Sequence, residues 1–484
     1  MYNIINQNSK TNMKLKHFLS FLFGLLLAGS LFTACGDDDP ADPAPNDPSQ
    51  PTNPDPDPDP TNALSPAEQK EKMEAIALDF MNATPASDFK DLADLSQHIA
   101  ETYGDDYEWD AVEEWAQDCF DAACTATGTT DTETEHDGSY TDNYIYTNYT
   151  ALLIASNFKG KFTAANGRWK RTDDAGLSFV FRDQNGAECV LKLETSGQVK
   201  PVKCFVLDDW TDYDYSNYVS NDYYDRTTYT IGVPENIVVS LTQGGKSVVK
   251  TTVKVDLKSL SGENFDISKS AITASAVVEL GNGYKFDTSE VAYTGNTKAS
   301  ATFKVSKGGQ QLVALGMAAD VTGLPACNVD AFTKDNFDGD DYDFDKANGK
   351  NAFVKVDVMG RMQFQGVVSD GRKYADYIEN AYDNDDSESS FKSYLNQANS
   401  LAEIYLFYDN KTTKHAAVRF EPFIDETWNG TTYWTAEPVI VFFDGSSYST
   451  FSAFFNESDF KTVINSFKKL ANRYAELVDE EIDW

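Results

Sequence analysis

"NIVVSLTQGGKSVVKTTVKVDL", residues 236–257, decides the fold class. Two β-branched arms flank Gly244-Gly245, and side chains alternate along each arm with the period of a strand that has one covered face. Paired glycines supply the positive φ of a tight two-residue turn, so the arms are expected to pair antiparallel. The same grammar extends in both directions. Upstream, "GRWKRTDDAGLSFVFRDQNGAECVLKLETSG" (167–197) carries the turn pair Asn185-Gly186. Downstream come "AITASAVVELGNGYKFD" (271–287) and "KASATFKVSKGGQQLVALGM" (298–317), the second with Gly308-Gly309 between its arms. "NAFVKVDVMGRMQFQGVV" (351–368), "AEIYLFYDNKTTKHAAVRFEPF" (402–423) and "PVIVFFDGSSYSTFSAFF" (438–455) continue the series. Short loops favour antiparallel neighbours, and no strand–helix–strand rhythm marks a doubly wound parallel sheet.

Helices are available to cover one face. Ser65-Pro66-Ala67-Glu68 reads as a capping box with proline in the first turn. After it Met73, Ile76 and Phe80 fall on one face, then Phe89, Leu92, Leu95 and Ile99, then Trp109, Val112, Trp115, Cys119 and Phe120. Late in the chain, 387–403 and about 458–478 are helical, the last with Phe460, Val463, Ile464, Phe467, Leu470, Ala471, Tyr474 and Leu477 in one stripe. The expected class is α+β: extended, curved antiparallel sheet with an amino-terminal helical cluster and a carboxy-terminal amphipathic helix. The expected segments are a helical cluster at 63–128, a β region at 140–325, and a β region with helices at 350–484, with a weak division near 325–350.

Composition narrows the partners. The 484 residues carry 40 Lys and Arg against 77 Asp and Glu, a net charge of −37. Such a surface repels phosphate backbones and excludes nucleic acid as a natural ligand. Hydrophobic residues make up 41% of the chain, enough for packed interiors, and the length suits two or three domains.

The amino terminus gives the address. Met13 opens "MKLKH", a short basic head, and the apolar "FLSFLFGLLLAGSLF" (18–32) follows before Thr33-Ala34-Cys35. This stretch resembles the signal and lipobox of bacterial lipoproteins. The resemblance implies removal of residues 1–34 and acyl chains on Cys35, hence attachment to a membrane through that lipid. Phe32 departs from the leucine usual in the family. The acids after it, in "CGDDD", resemble the export signal of Bacteroidota surface lipoproteins, which implies display outside the outer membrane; retention on the periplasmic leaflet is the alternative. Residues 35–62 hold nine of the sixteen prolines, alternating with aspartate into an extended spacer.

Chemistry is harder to find. No HExxH, G-x-S-x-G, phosphate loop or dinucleotide fingerprint occurs, and the mature chain has only His98, His136 and His415, so the expectation is a non-enzyme without a cofactor. The acidic "DNFDGDDYDFD" (335–345) fails as an EF-hand, because Lys334 falls where the first carboxylate belongs. An irregular calcium site on Asp338, Asp340, Asp341 and Asp343 is the one cation it offers, against a simple solvated loop. Of the remaining cysteines, Cys119, Cys124, Cys189, Cys204 and Cys327, a bridge between Cys189 and Cys204 on neighbouring strands is the pairing to test.

Aromatic residues provide the ligand candidates. Residues 208–225 are expected to form a loop in which Trp210, Tyr213, Tyr215, Tyr218, Tyr223 and Tyr224 interleave with aspartates. "DETWNGTTYW" (425–434) adds Trp428, Tyr433 and Trp434. Sugars are held by ring faces with carboxylate and hydroxyl partners, so a glycan is one ligand class; packed rings beneath a polar loop are the plain alternative. The functional expectation is a surface lipoprotein that binds an extracellular ligand such as a glycan. The alternatives are an assembly partner in an envelope complex, or a lipid-binding protein with an apolar groove. A tether counts against shuttling lipid between membranes.

Overall fold

The computed structural model describes residues 62–482, apart from 105–106, 126–128, 139, 155–156, 215–218, 327–346, 410–411, 457 and 478–481. The calls on Cys35, Tyr215, Tyr218, Cys327 and the four aspartates of 338–343 lie outside the described residues, as do the side chains of Cys124, Trp210 and Tyr213.

The structure is mostly β, with helices near the amino terminus and an amphipathic helix near the carboxy terminus. Three helices come first: α1 (Pro66–Ala83), α2 (Lys90–Tyr103) after a 3-10 turn at Ala86–Phe89, and α3 (Asp110–Thr125). The capping box forms as expected: the Glu68 amide donates to Ser65 Oγ, and Ser65 N–H donates to the Glu68 carboxylate at 2.8 Å. Contacts divide the described chain into two units, one built on residues 95–276 and the other on 62–94, 277–323 and 347–482.

The first unit holds β1 (Thr129–Asp137), β2 (Tyr140–Ile154), β3 (Gly160–Ala165), β4 (Arg168–Thr172), β5 (Leu177–Arg182), β6 (Glu188–Asp214), β7 (Val219–Gln243) and β8 (Lys246–Lys258). β6 and β7 form one long hairpin; β7 then pairs β2 along residues 220–232 and β8 along 236–243. The quoted stretch is thus the β7–β8 hairpin, with Gly244 and Gly245 at φ 56° and 78°. Two pairings, β2 with β7 and β3 with β5, are parallel, contrary to the all-antiparallel expectation. Parallel pairing needs a long return path, and the strands between supply it. Its core joins Phe162, Phe179, Trp169 and Cys189 on the sheet to Leu95 of α2 and Tyr107.

β9 (Ala271–Leu280) carries the chain to the second unit. There β10 (Tyr284–Thr294), β11 (Lys298–Lys307), β12 (Gln310–Thr322), β13 (Asn348–Val358) and β14 (Met362–Asp370) pair in sequence order, each antiparallel to the next. Helices α4 (Gly371–Tyr382) and α5 (Glu388–Asn399) follow, and then β15 (Ala402–Tyr408), β16 (Lys414–Trp428), β17 (Thr431–Phe442) and β18 (Ser449–Thr450) extend the meander. Two more helices, α6 (Phe451–Phe454) and α7 (Lys461–Glu476), complete it. Met73 and Ile76 of α1 pack with Leu406, Ile440 and Phe442 of the sheet and Phe454 of α6.

The anticipated Cys189–Cys204 bridge does not exist. Both thiols are free, and both lie on the single strand β6. Fifteen residues of extended chain hold them on the order of 50 Å apart, far beyond disulfide reach.

Candidate functional site

Within the second unit an apolar cavity of about 650 Å³ opens to solvent, a size typical of small-molecule sites. Strand alternation builds its floor: Tyr284 and Phe286 share one face of β10, and Val305 of β11 is the cross-strand partner of Phe286. One wall is the end of α1 with Phe80 and Thr84, joined by Phe89 of the 3-10 turn. The other is the stripe of α7, where Phe467, Leu470, Ala471 and Tyr474 recur at steps of three and four. Ile482, six residues past the end of α7, also contributes to the lining.

Polar atoms at this site satisfy one another. The Tyr284 hydroxyl donates to the Asp88 carboxylate at 2.8 Å, and Tyr474 donates to the Thr84 carbonyl at 3.0 Å. Thr84 Oγ1 donates to the Phe80 carbonyl at 3.0 Å. Lys307 pairs with Asp88 and also donates to the Ala83 carbonyl at 3.0 Å. The hydrogen bond from Lys307 holds the Asp88 carboxyl below its usual range, while burial and then Asp88 push the Tyr284 hydroxyl up. Phe89 packs its ring against both Tyr284, at 4.7 Å, and Tyr474, at 5.7 Å. The hydroxyls therefore face the frame, and the cavity presents carbon. A hydrocarbon fits such a lining; a sugar would lose its own hydrogen bonds there.

The sequence-derived aromatic candidates fall elsewhere. Residues 208–214 and 219–225 are not loop but the ends of β6 and β7, in register as Trp210 with Tyr223 and Asp209 with Tyr224. Tyrosine and threonine favour the pleated state strongly enough to carry the interleaved aspartates into strand. The rings are spent across strands: Tyr224 stacks on Tyr144 at 5.0 Å and 16°, Tyr149 on Tyr229 at 5.2 Å and 9°, and the Arg226 guanidinium lies 4.8 Å from the Tyr146 centroid. Asp208 and Asp225 are direct cross-strand partners; burial, then the Asp208 charge, raises the Asp225 carboxyl above its ordinary value.

At the second candidate, Tyr433 faces Glu426 and Trp434 faces Ile424 across the hairpin. Neighbouring strand residues point to opposite faces, so Tyr433 and Trp434 do not share a surface. Trp434 packs beside Phe391 and Leu395 of α5 with Lys392 5.4 Å from its ring centroid, whereas Trp428, at the turn, is 63% exposed.

His98 contacts the Arg182 carbonyl at 3.0 Å and His136 the Thr141 hydroxyl at 3.1 Å, both structural bonds. His415 Nδ1 accepts from the Leu64 amide at 2.9 Å. Among the described residues no group of three or more His, Cys, Asp or Glu is placed to hold a metal ion. Sequence reasoning named the α7 stripe and Phe80 and Phe89 as packing residues but missed Tyr284, Phe286 and Val305. The available signal was the pair of rings two apart in "GYKFD". No protein-family model matches the chain, and no significant match is found among curated proteins or among solved structures.

Proposed function

We propose that this chain is a non-catalytic lipoprotein, tethered through Cys35 at the outer membrane and displayed at the cell surface, that captures a ligand bearing a hydrocarbon chain in the cavity of its second unit. The observation that supports it is an apolar cavity of about 650 Å³ whose hydroxyls are all turned into internal hydrogen bonds. This lining favours carbon over polar matter. A tether is compatible with capture at a fixed place, which is a different task from carriage. Each buried methylene contributes about 0.8 kcal/mol, so affinity is expected to rise roughly fourfold per added carbon until the cavity is full. Calorimetric titration of the full chain with straight-chain alcohols from eight to sixteen carbons reads this directly. Affinities that do not change with chain length would refute the proposal. A second reading, contact with a glycan, is favoured only by Trp428, exposed at its hairpin tip on the face of Tyr433.

A further inference from the structure

We infer that the captured hydrocarbon is longer than the cavity and runs out of it across the open face of the sheet, an inference that rests on the cavity being the binding site. The floor does not stop at Val305. Strand alternation puts Phe303, two residues back along β11, on the same face. Register carries that face through Leu315 of β12, the partner of Phe303, to Val356 of β13. One row further along the strands lie Val354, Gly366 of β14 and Ile404 of β15, paired in that order. A Cβ at Gly366 would stand 3.3 Å from Val354 and 3.6 Å from Ile404, so those two side chains flank bare backbone on one face.

Helices cover this face only in part. α1 packs Met73 and Ile76 on Leu406, the next residue along from Ile404 on that face. α5 packs Phe391 and Leu395 on Phe420, the next along from Val418, which is the partner of Ile404. Phe303 and Val354 stay 36% and 39% exposed. The size of the strip selects its occupant. From β11 to β15 is four strand spacings, roughly 19 Å, and two rows of side chains span roughly 7 Å, on the order of 130 Å² in all. A stable protein partner needs about 800 Å². A long, narrow strip of hydrocarbon side chains, joined to the cavity at Val305, instead fits the remainder of an alkyl chain. The ligand is thus a long-chain lipid with its far portion laid across the strands.

Cavity and strip leave different marks on affinity. Inside the cavity each added methylene is surrounded and gains about fourfold; on the strip only one side is covered, and the gain falls to about twofold. Titrating the full chain with straight-chain alcohols of eight to twenty carbons should therefore show a steep rise followed by a shallower one. Phe303→Glu with Val354→Glu should erase the shallow part and leave the shortest alcohols unchanged, and binding of those reports that the double variant is folded. Val354→Thr, a milder change that adds only a hydroxyl, should weaken the longest alcohols alone, by about twofold. Variants that bind the longest alcohols as tightly as the unaltered chain, or a steep rise that ends with no shallow part, overturn the strip and leave the cavity proposal standing. Affinities that ignore chain length throughout overturn the two together.

Discussion

The two units treat the same materials in opposite ways. In the first, rings close the space between helix and sheet: Trp115 meets Phe162 at 5.0 Å, Phe162 stacks on Phe179 at 5.0 Å, and Trp109 reaches Trp169 at 5.2 Å. Phe162 has no exposure at all. In the second, α7 offers an equally regular stripe, yet Ala475 is its one buried residue and Phe467 remains 53% exposed. The difference lies in what fills the gap. In the first unit the rings meet one another across the space between helix and sheet, whereas in the second Phe80, Phe89, Tyr284, Phe286, Phe467 and Tyr474 surround an opening that Ala471 and Val305 do not fill. Amphipathic pattern alone does not decide whether a helix is covered; whether the opposing side chains meet does.

The largest effect should come from opening the closed side. Phe162→Ala removes a wholly buried ring and is expected to cost about 3–5 kcal/mol, read from denaturant unfolding of the first unit. A loss below about 1 kcal/mol would mean that this core is not shut as described. The converse change closes the open side. Ala471→Trp should fill the cavity, leave stability within about 1 kcal/mol, and eliminate binding of long-chain alcohols. Retained binding would place the ligand elsewhere.

How much of this contrast was written in the chain follows from the kind of force involved. Turns are local, so Gly244-Gly245 and Gly308-Gly309 were readable, and all four glycines adopt positive φ. The α7 stripe was equally plain, because periodicity needs no partner. The Tyr-rich ends of β6 and β7 misread as loop because their acids are loop-like in composition, while their pairing with each other is reinforced, for β7, by β2, some eighty residues away. The cavity was invisible for the same reason. Whether Phe467 and Leu470 are covered depends on the volumes of residues on β10 and β11, which no local pattern states.

The smallest effect concerns His415 and its bond to Leu64, where the proposed tether would meet the described structure. Burial, with help from Lys72 and against the pull of Asp409, lowers the His415 pKa from its ordinary 6.5. The ring packs against Tyr408 at 5.5 Å and must be neutral to accept the Leu64 amide. The unfolded chain therefore binds a proton that the folded unit resists. Stability from this group is fully present above pH 6.5 and is lost as pH falls from there toward the depressed folded value. Between pH 7.5 and 5 the thermal midpoint should fall further for the unaltered chain than for His415→Gln, which keeps an acceptor without titrating. Parallel falls would remove His415 from the account.

That same clamp has a mechanical consequence. On the proposed attachment through Cys35, a pull along the acidic segment enters the described residues ahead of α1. Here the entry is Leu64, whose amide is gripped by His415 at 2.9 Å and whose carbonyl is gripped by Gln69 at 2.8 Å. On that proposal such a load is shared between β16, through His415, and α1, through Gln69, so it reaches a strand of the sheet as well as a helix that walls the cavity.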